Sequence, residues 1–239
     1  SGRHADPSMR PSDFDFVLPP ERIARHPEAA RDASRLLVMT PTSRTECLFR
    51  DIGEFLEPGD LLVVNDTRVL PARLEGTRRP GGGRTEFLLV EPAPEGGYLA
   101  LGKPGRKLRE GTGVDVADAT VEVHEDRGDG WFRIEGSEDL RSLAERAGQI
   151  PLPPYLNRAE EPEDRKRYQT VFHRPEANGS VAAPTAGLHF TPELLASLKA
   201  KGVVRAHLTL HVGPGTFQPV RDGEIEDHKM HSEAFEVSE

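Results

Sequence analysis

The chain has 239 residues, 36% of them hydrophobic and 30% charged, the balance of a soluble globular protein with one large domain or two modest ones. The formal net charge of −9 argues against broad nonspecific binding to nucleic acid, which depends on neutralising phosphates. A single cysteine, Cys47, excludes an intrachain disulfide and fits a cytoplasmic protein, and no apolar stretch approaches the length of a membrane span.

The N-terminal part predicts a lead followed by short elements. Residues 1–8 have no apolar core, so they are interpreted as a disordered lead or a tag scar rather than a signal peptide. Residues 20–26 predict a short helix, because Pro20 suits a first turn and Pro27 stops it. A strand and one helical turn are then predicted over residues 36–39 and 51–56. The continuous apolar run at residues 61–64 predicts a strand buried on both faces.

The middle of the chain changes in character. Short candidate strands alternate with glycine-rich turns, at residues 85–91, 98–101, 114–116, 120–125 and 131–135. Even spacing of short strands predicts a small β-barrel or sandwich. A helix follows, with Ser137 as its cap and Gly148 at its end. The proline-rich residues 151–155 must be extended.

The last third predicts a helix and a strand. The helix begins at Thr191-Pro192 and ends before Gly202, and the strand covers residues 203–212. We therefore predict an α/β fold, in which an α/β domain with a mixed sheet (residues 9–64 and 149–239) is interrupted by an inserted small antiparallel β-barrel domain (residues 65–148).

The turn after the last strand is a candidate ligand site. His211-Val212-Gly213-Pro214-Gly215-Thr216-Phe217 stands where ligands bind in open α/β sheets, and its glycines allow close approach. Gln218 replaces the third glycine of a dinucleotide fingerprint. An ordinary tight turn is the alternative interpretation.

Two further segments carry histidines. The small-residue loop at 182–190 precedes a helix N-terminus, which favours anions, and His189 is a candidate acid or base; a capping loop with a packed histidine is the alternative. Residues 227–233 contain His228, His231 and Glu233, which are residue types common in metal sites. Since no HExxH-like signature occurs, no metal is expected, and the segment is either a solvated loop or makes acid–base or substrate contacts.

Charged residues mark two more positions. Asn65-Asp66-Thr67-Arg68 follows the apolar run, and Arg68 could hold a carboxylate or phosphate in fork geometry, or it pairs with Asp66 to shape the crossover. A basic turn is a candidate phosphate-binding patch or simply a solvated charge run; it comprises Lys103, Arg106, Lys107 and Arg109.

The combination of motifs is more specific than any one of them. The chain closely resembles the S-adenosylmethionine:tRNA ribosyltransferase-isomerase family of queuosine biosynthesis from about Met9 to Val237. The resemblance rests on segments 64–74, 151–155, 168–172, 181–190, 210–220 and 228–233, of which APTAGLHF and LHVGPGTFQPV are the most specific.

The resemblance implies an unusual use of S-adenosylmethionine. The family transfers and isomerises its ribosyl group onto 7-aminomethyl-7-deazaguanine at the wobble position of tRNA, giving epoxyqueuosine and releasing adenine and methionine. No metal is required, and the family fold is an α/β domain with an inserted β-barrel. The expected partners are that tRNA and S-adenosylmethionine, with no membrane contact, and we expect a monomer.

The reaction needs a base near the sulfonium, a neutral amine and a proton donor for adenine. We assign His189 and His211 as the acid–base candidates, Asp66 as orienting or accepting a proton, and Arg68 as holding a carboxylate or phosphate. The remaining residues of the matched motifs are assigned to cofactor binding: Asn65, Thr67, Thr185, Gly187, Phe190, Gly213, Gly215, Thr216, His228, His231 and Glu233.

The chain departs from the family pattern in one respect. Family members continue with a Gly-Thr-Thr-Ser-Val-Arg block and a Thr-Asn-Phe-His-Leu-Pro block, neither of which occurs before Glu239. The rival hypothesis is therefore a non-catalytic tRNA-binding fragment, or a subunit that a partner completes. An ordinary methyltransferase is disfavoured because no G-x-G-x-x-G loop is present.

Overall fold

The computed structural model describes residues 9–217, 220, 225–228 and 230–237. The predicted lead at residues 1–8 lies outside the described residues, as do Gln218, Pro219 and Lys229. Within the described ranges, no helix is both long and apolar enough to cross a membrane.

The N-terminal part contains a hairpin and short turns. Strand β1 (Arg35–Met39) confirms the prediction and pairs antiparallel with β2 (Arg44–Leu48), which was not predicted. The helix predicted over residues 20–26 is wrong, because only a 3-10 turn, Pro20–Arg22, forms there. Prolines at both ends leave too few residues for a helix that has no buried face to stabilise it.

Short 3-10 helices join the larger elements. They lie at Pro11–Phe14, Pro20–Arg22, Arg31–Ala33, Phe49–Phe55, Gly105–Lys107, Pro154–Leu156, Thr185–His189, Pro214–Phe217 and Ile225–Asp227. The segment Phe49–Phe55 contains the helical turn predicted over residues 51–56.

Two strands then lead into a closed six-stranded antiparallel barrel. They are β3 (Leu61–Asn65) and the short β4 (Arg68–Val69). The barrel strands are β5 (Arg73–Arg79), β6 (Arg84–Pro92), β7 (Tyr98–Lys103), β8 (Gly113–Val116), β9 (Ala119–Gly128) and β10 (Trp131–Gly136). Their order around the barrel is β10-β7-β6-β5-β8-β9. Alternate side chains such as Phe87, Leu89 and Phe132 fill the interior, as expected for a small barrel.

Helix α1 (Leu140–Ala147) closes one end of the barrel, with Leu140 and Leu143 in its core. Its cap is Asp139, whose carboxylate accepts the Ser142 N–H at 2.8 Å, rather than the predicted Ser137. The Ser137 hydroxyl instead accepts the Thr120 N–H. The predicted end at Gly148 is confirmed.

The C-terminal part is α/β. It contains α2 (Asp164–Arg167), β11 (Asn178–Ser180), α3 (Pro192–Lys201), β12 (Val204–Leu210) and β13 (Phe235–Glu236). Strand β11 pairs parallel with β4, and β12 pairs parallel with β3 and antiparallel with β13. The sheets are thus mixed, and the predicted fold class, an α/β domain with an inserted antiparallel barrel, is confirmed.

Helix α3 covers one face of the β3–β12 sheet. Its Leu194 and Leu198 share a core with Val64 and Phe190. The opposite face is open, with Leu61 and Val63 exposed by 60% and 52%. The prediction that β3 is buried on both faces is therefore wrong, because the described part of the chain packs a helix against one face only.

This difference predicts unequal effects of neighbouring substitutions. Val64→Ala should lower the free energy of unfolding by about 2 kcal/mol, because it removes buried methyl groups and leaves a cavity. Val63→Ala, the matched control, should change it by less than about 0.5 kcal/mol, as for other exposed positions. Urea denaturation measures both, and equal losses would contradict the one-sided burial.

Candidate functional site

A cavity of about 540 Å³ lies where the barrel meets the end of β12. The chain after β12 contributes His211 and Gly213, the barrel contributes Tyr98 and Trp131, and α1 contributes Arg141. This volume is in the range of small-molecule sites, and aromatic walls with a few polar groups are typical of them.

His211 is held from one side. Its Nδ1 lies 2.9 Å from Thr67 Oγ1, which in turn donates to the carbonyl of Ala177 at 3.3 Å and lies 2.9 Å from Ser180 Oγ. The Ser180 hydroxyl already accepts the Val212 N–H. Because a carbonyl can only accept, the arrangement that uses these contacts has Nδ1–H donating to Thr67, which leaves Nε2 unprotonated in the neutral ring.

The backbone of β11 packs directly against the imidazole of His211. A Cβ at Gly179 would lie 3.0 Å from both Nδ1 and Cε1 of the ring, so only glycine allows this approach without a shift. The ring is thus confined between Gly179 and Thr67.

The surroundings of His211 favour the neutral imidazole. Burial lowers its pKa below the ordinary 6.5, and the positive charge of Arg141 lowers it further, whereas Asp66 and Glu236 act in the opposite direction. The Arg141 guanidinium forms no ion pair with a carboxylate in the described part of the chain. His211 is therefore a neutral group at pH 7, able to accept a proton.

Asp66 is an internal carboxylate beneath this site. It is 1% exposed, accepts from Arg174 Nε at 2.7 Å and from Thr209 Oγ1 at 2.7 Å, and lies 3.5 Å from His207 Nδ1. It does not line the cavity of His211. Its contacts fix the end of β12, which carries His211, so in this structure it supports the site instead of facing a ligand.

Arg68 does not face a ligand either. Both of its Nη atoms bind the carboxylate of Glu145 on α1, with Nη2 to Oε2 at 3.1 Å, and Asn178 donates to the same carboxylate at 3.0 Å. The hydrogen bond from Arg68 lowers the pKa of Glu145. The expected carboxylate partner is thus internal, and the ion pair fastens α1 to the β4–β11 strands.

The loop at 182–190 lies elsewhere. His189 and Thr185 line a second cavity, of about 320 Å³, and His189 packs against Phe49 with ring centroids 5.0 Å apart. Phe190 is buried in the core of the α/β part. Gly187 packs so closely on Phe172 that a Cβ would lie 2.9 Å from its ring. The structure therefore does not bring these four predicted residues to the cavity of His211.

Some of the remaining predicted residues line the cavity, and the others lie outside its walls. Gly213, His231 and Glu233 line the cavity, and the Gly213 N–H donates to Glu233 Oε1 at 2.8 Å. Gly215 packs against the His231 ring, since a Cβ at Gly215 would lie 2.5 Å from Cδ2 of that ring. Asn65 binds the backbone N–H and C=O of Leu210 and so ties β3 to β12. Thr216 and His228 do not line the cavity.

Three cavity residues come from elements without a matched motif. Tyr98, Trp131 and Arg141 lie on β7, β10 and α1. Trp131 is the only tryptophan in the chain and follows a Gly-Asp-Gly turn, which is the one sequence signal that marks it. Asn178-Gly179-Ser180, which supports His211, was also missed.

No group of three or more His, Cys, Asp or Glu side chains converges as a metal site among the described residues. The cavity is lined instead by the imidazoles of His211 and His231, the guanidinium of Arg141 and the carboxylates of Glu91 and Glu233. These groups can exchange a proton and hold a zwitterionic ligand.

Comparisons with known proteins agree with one another. The family model described as "Queuosine biosynthesis protein" matches residues 11–239. The chain is 50% identical over 237 residues to the S-adenosylmethionine:tRNA ribosyltransferase-isomerase of Anaeromyxobacter sp. (strain Fw109-5), covering 96% of this chain and 68% of that protein. It is 48% identical to the protein of the same name from Halothermothrix orenii, with the same coverage.

A solved structure is also similar in sequence. The crystal structure of S-adenosylmethionine tRNA ribosyltransferase from Thermotoga maritima is 35% identical, with 84% of this chain and 58% of that chain covered and a TM-score of 0.34. This chain thus spans about two thirds of the curated relatives' length and less of the solved chain. From the family match and the identities to the two curated relatives, the chain belongs to the queuosine biosynthesis protein family of S-adenosylmethionine:tRNA ribosyltransferase-isomerases.

Proposed function

We propose that the cavity of His211 binds S-adenosylmethionine, and that the chain transfers and isomerises its ribosyl group onto 7-aminomethyl-7-deazaguanine in tRNA. The observation that carries the proposal is the placement of His211, whose Nδ1 lies 2.9 Å from Thr67 Oγ1, at the strand end of a cavity of about 540 Å³. Burial and Arg141 lower its pKa, which favours the neutral ring. The names of the relatives support the substrate class.

The lining suits the parts of this substrate. Trp131 and Tyr98 offer aromatic surface to adenine, and Arg141 offers a cation to the methionine carboxylate. Glu91 and Glu233 line the same cavity and would favour the positively charged sulfonium. All of these groups line one cavity, as a site for one zwitterionic nucleoside would need.

His211 accounts for one proton in the reaction. The neutral imidazole accepts the proton from the carbon beside the sulfonium, which leaves a carbanion that the sulfonium stabilises. The imidazolium then holds that proton, which it can deliver to nitrogen of the departing adenine. Arg141 keeps His211 neutral beforehand, and Thr67 keeps the ring oriented with Nε2 as the acceptor.

The tRNA is proposed to contact the basic turn. Lys103, Arg106 and Arg109 line a cavity beside the barrel, and Lys107 belongs to the same 3-10 turn. In a chain with net charge −9, such a local patch is where phosphates would bind. The rival, a tRNA-binding module without activity, predicts this binding but no chemistry.

Replacement of His211 tests the chemical role. His211→Ala should lower the single-turnover rate of adenine release from S-adenosylmethionine by about 10²–10⁴-fold, as for loss of a positioned proton-transfer group. The measurement is made with bound precursor tRNA, together with thermal unfolding of each variant.

The control is His124→Ala, on the outside of the barrel beside Glu135; His207 is unsuitable because it lies against Asp66. A near-normal rate in His211→Ala would show that His211 is a packing residue. Absence of adenine release by the unaltered chain would contradict the enzymatic proposal and favour the binding module.

Replacement of Arg141 tests the electrostatics. Arg141→Gln should raise the pKa of His211 toward 6.5, because a nearby positive charge is lost while burial remains. The imidazole accepts a proton only above its pKa, so the acid limb of the pH–rate profile should move to higher pH.

NMR titration of the His211 Cε1 proton measures this pKa directly. The control is Arg146→Gln on the same helix, since Arg146 pairs with Asp118 and Glu138 instead. An unchanged or lowered pKa in Arg141→Gln would be incompatible with the proposed role.

Neutralising the basic turn tests the tRNA contact. Replacing Lys103, Arg106, Lys107 and Arg109 together by Ala should weaken tRNA binding and flatten its salt dependence. Binding of S-adenosylmethionine should barely change, because the His211 cavity keeps its lining. The tRNA contact is refuted if filter binding gives the same salt slope for the quadruple variant.

A further inference from the structure

A larger cavity, of about 690 Å³, lies beside the one that contains His211. Its walls are the basic turn, the β9–β10 turn, the proline-rich residues 151–154 and the 3-10 helix Pro214–Phe217. Pro214 lines both cavities, so a ligand in one would lie next to a ligand in the other.

Four cations and three carboxylates line this cavity: Arg73, Lys103, Arg106 and Arg109, and Glu86, Asp126 and Asp129. Lys103 and Arg106 form no ion pair in the described part of the chain, and the side chain of Arg109 binds only the carbonyl of Leu108. Arg73 Nε is buried without a hydrogen bond. The part of the cavity beside Lys103, Arg106 and Arg109 suits an anionic group with several oxygens, such as a phosphodiester.

Glu86 provides a different feature on the same wall. Its side chain is 26% exposed, and among the described residues it forms an ion pair with Arg73, with Nε to Oε1 at 3.6 Å. No hydrogen bond reaches this carboxylate from the described residues, so both oxygens can accept. Two acceptors in one plane match the N1–H and 2-amino donors on the pairing edge of a guanine-type base.

Phe217 and Pro214 add an apolar surface. Bases taken out of a stack are commonly held between aromatic or apolar side chains and identified along their pairing edge. Cations, a carboxylate with free acceptors and an aromatic ring therefore occur together in a volume that suits one nucleotide.

We propose that this cavity receives one unpaired guanine-type nucleotide of the RNA substrate, with its phosphates at Lys103 and Arg106, its pairing edge at Glu86 and its ring against Phe217. The inference rests on the proposed function, and it identifies the nucleotide as the base to be modified, since 7-deazaguanine keeps the pairing edge of guanine. Because Pro214 lines both cavities, that base would lie beside S-adenosylmethionine in the adjoining cavity.

The test uses the full 239-residue chain and three short RNA hairpins that carry guanosine, adenosine or an abasic site at the wobble position. Fluorescence anisotropy should show the guanosine hairpin binding about 5- to 150-fold more tightly than the other two, the usual effect of one two-point base contact. Glu86→Gln should abolish the preference, so that the guanosine hairpin binds no more tightly than the adenosine or abasic hairpin.

The matched control is Glu75→Gln, because Glu75 lies directly across from Glu86 on β5 but pairs with Arg84 and does not line the cavity. Equal binding of all three hairpins, or a guanosine preference that survives Glu86→Gln, would overturn the inference. Salt-dependent binding that does not distinguish the three hairpins would overturn this inference and leave the proposed tRNA contact intact. If no hairpin binds, the proposed tRNA contact is contradicted as well.

Discussion

The parallel pairing of β3 with β12 is the constraint on which the site depends. In this register Val64 faces His207 and Asn65 faces Leu208, so both strands end at the same edge of the sheet. Two segments that are more than 140 residues apart, Asn65-Asp66-Thr67 and Thr209-Leu210-His211, then lie side by side. Without this pairing, Thr67 could not hold His211, and the buried carboxylate of Asp66 would lose its hydrogen bond from Thr209, which is costly for a buried polar group.

The barrel matters because of where it is inserted. It interrupts the chain directly after β4, so its strands β7 and β10 and helix α1 bring Tyr98, Trp131 and Arg141 opposite the end of β12. The ion pair between Arg68 and Glu145 fastens α1 to the strand on which the insertion begins. The cavity is therefore formed between two units, each of which supplies residues that the other lacks.

Much of the fold could be predicted from the sequence because its signals are local. Glycine-rich turns mark the barrel strands, and Thr191-Pro192 and Gly202 mark α3. The open face of β3 could not be predicted, since an apolar run does not reveal how many helices cover it. The site was predicted only in part: the turn after β12 identifies His211 and Gly213, but tertiary contacts decide that Arg68 binds Glu145 and that His189 lies in another cavity.

The central claim is that S-adenosylmethionine binds in the cavity formed by His211, Trp131 and Arg141. Because Trp131 is the only tryptophan and lines this cavity, its emission reports on ligands that bind there. Titration with S-adenosylmethionine should change that emission with the same dissociation constant as equilibrium dialysis gives, and Arg141→Gln should weaken both. Binding detected by dialysis with no change in Trp131 emission would place the ligand elsewhere and contradict the account.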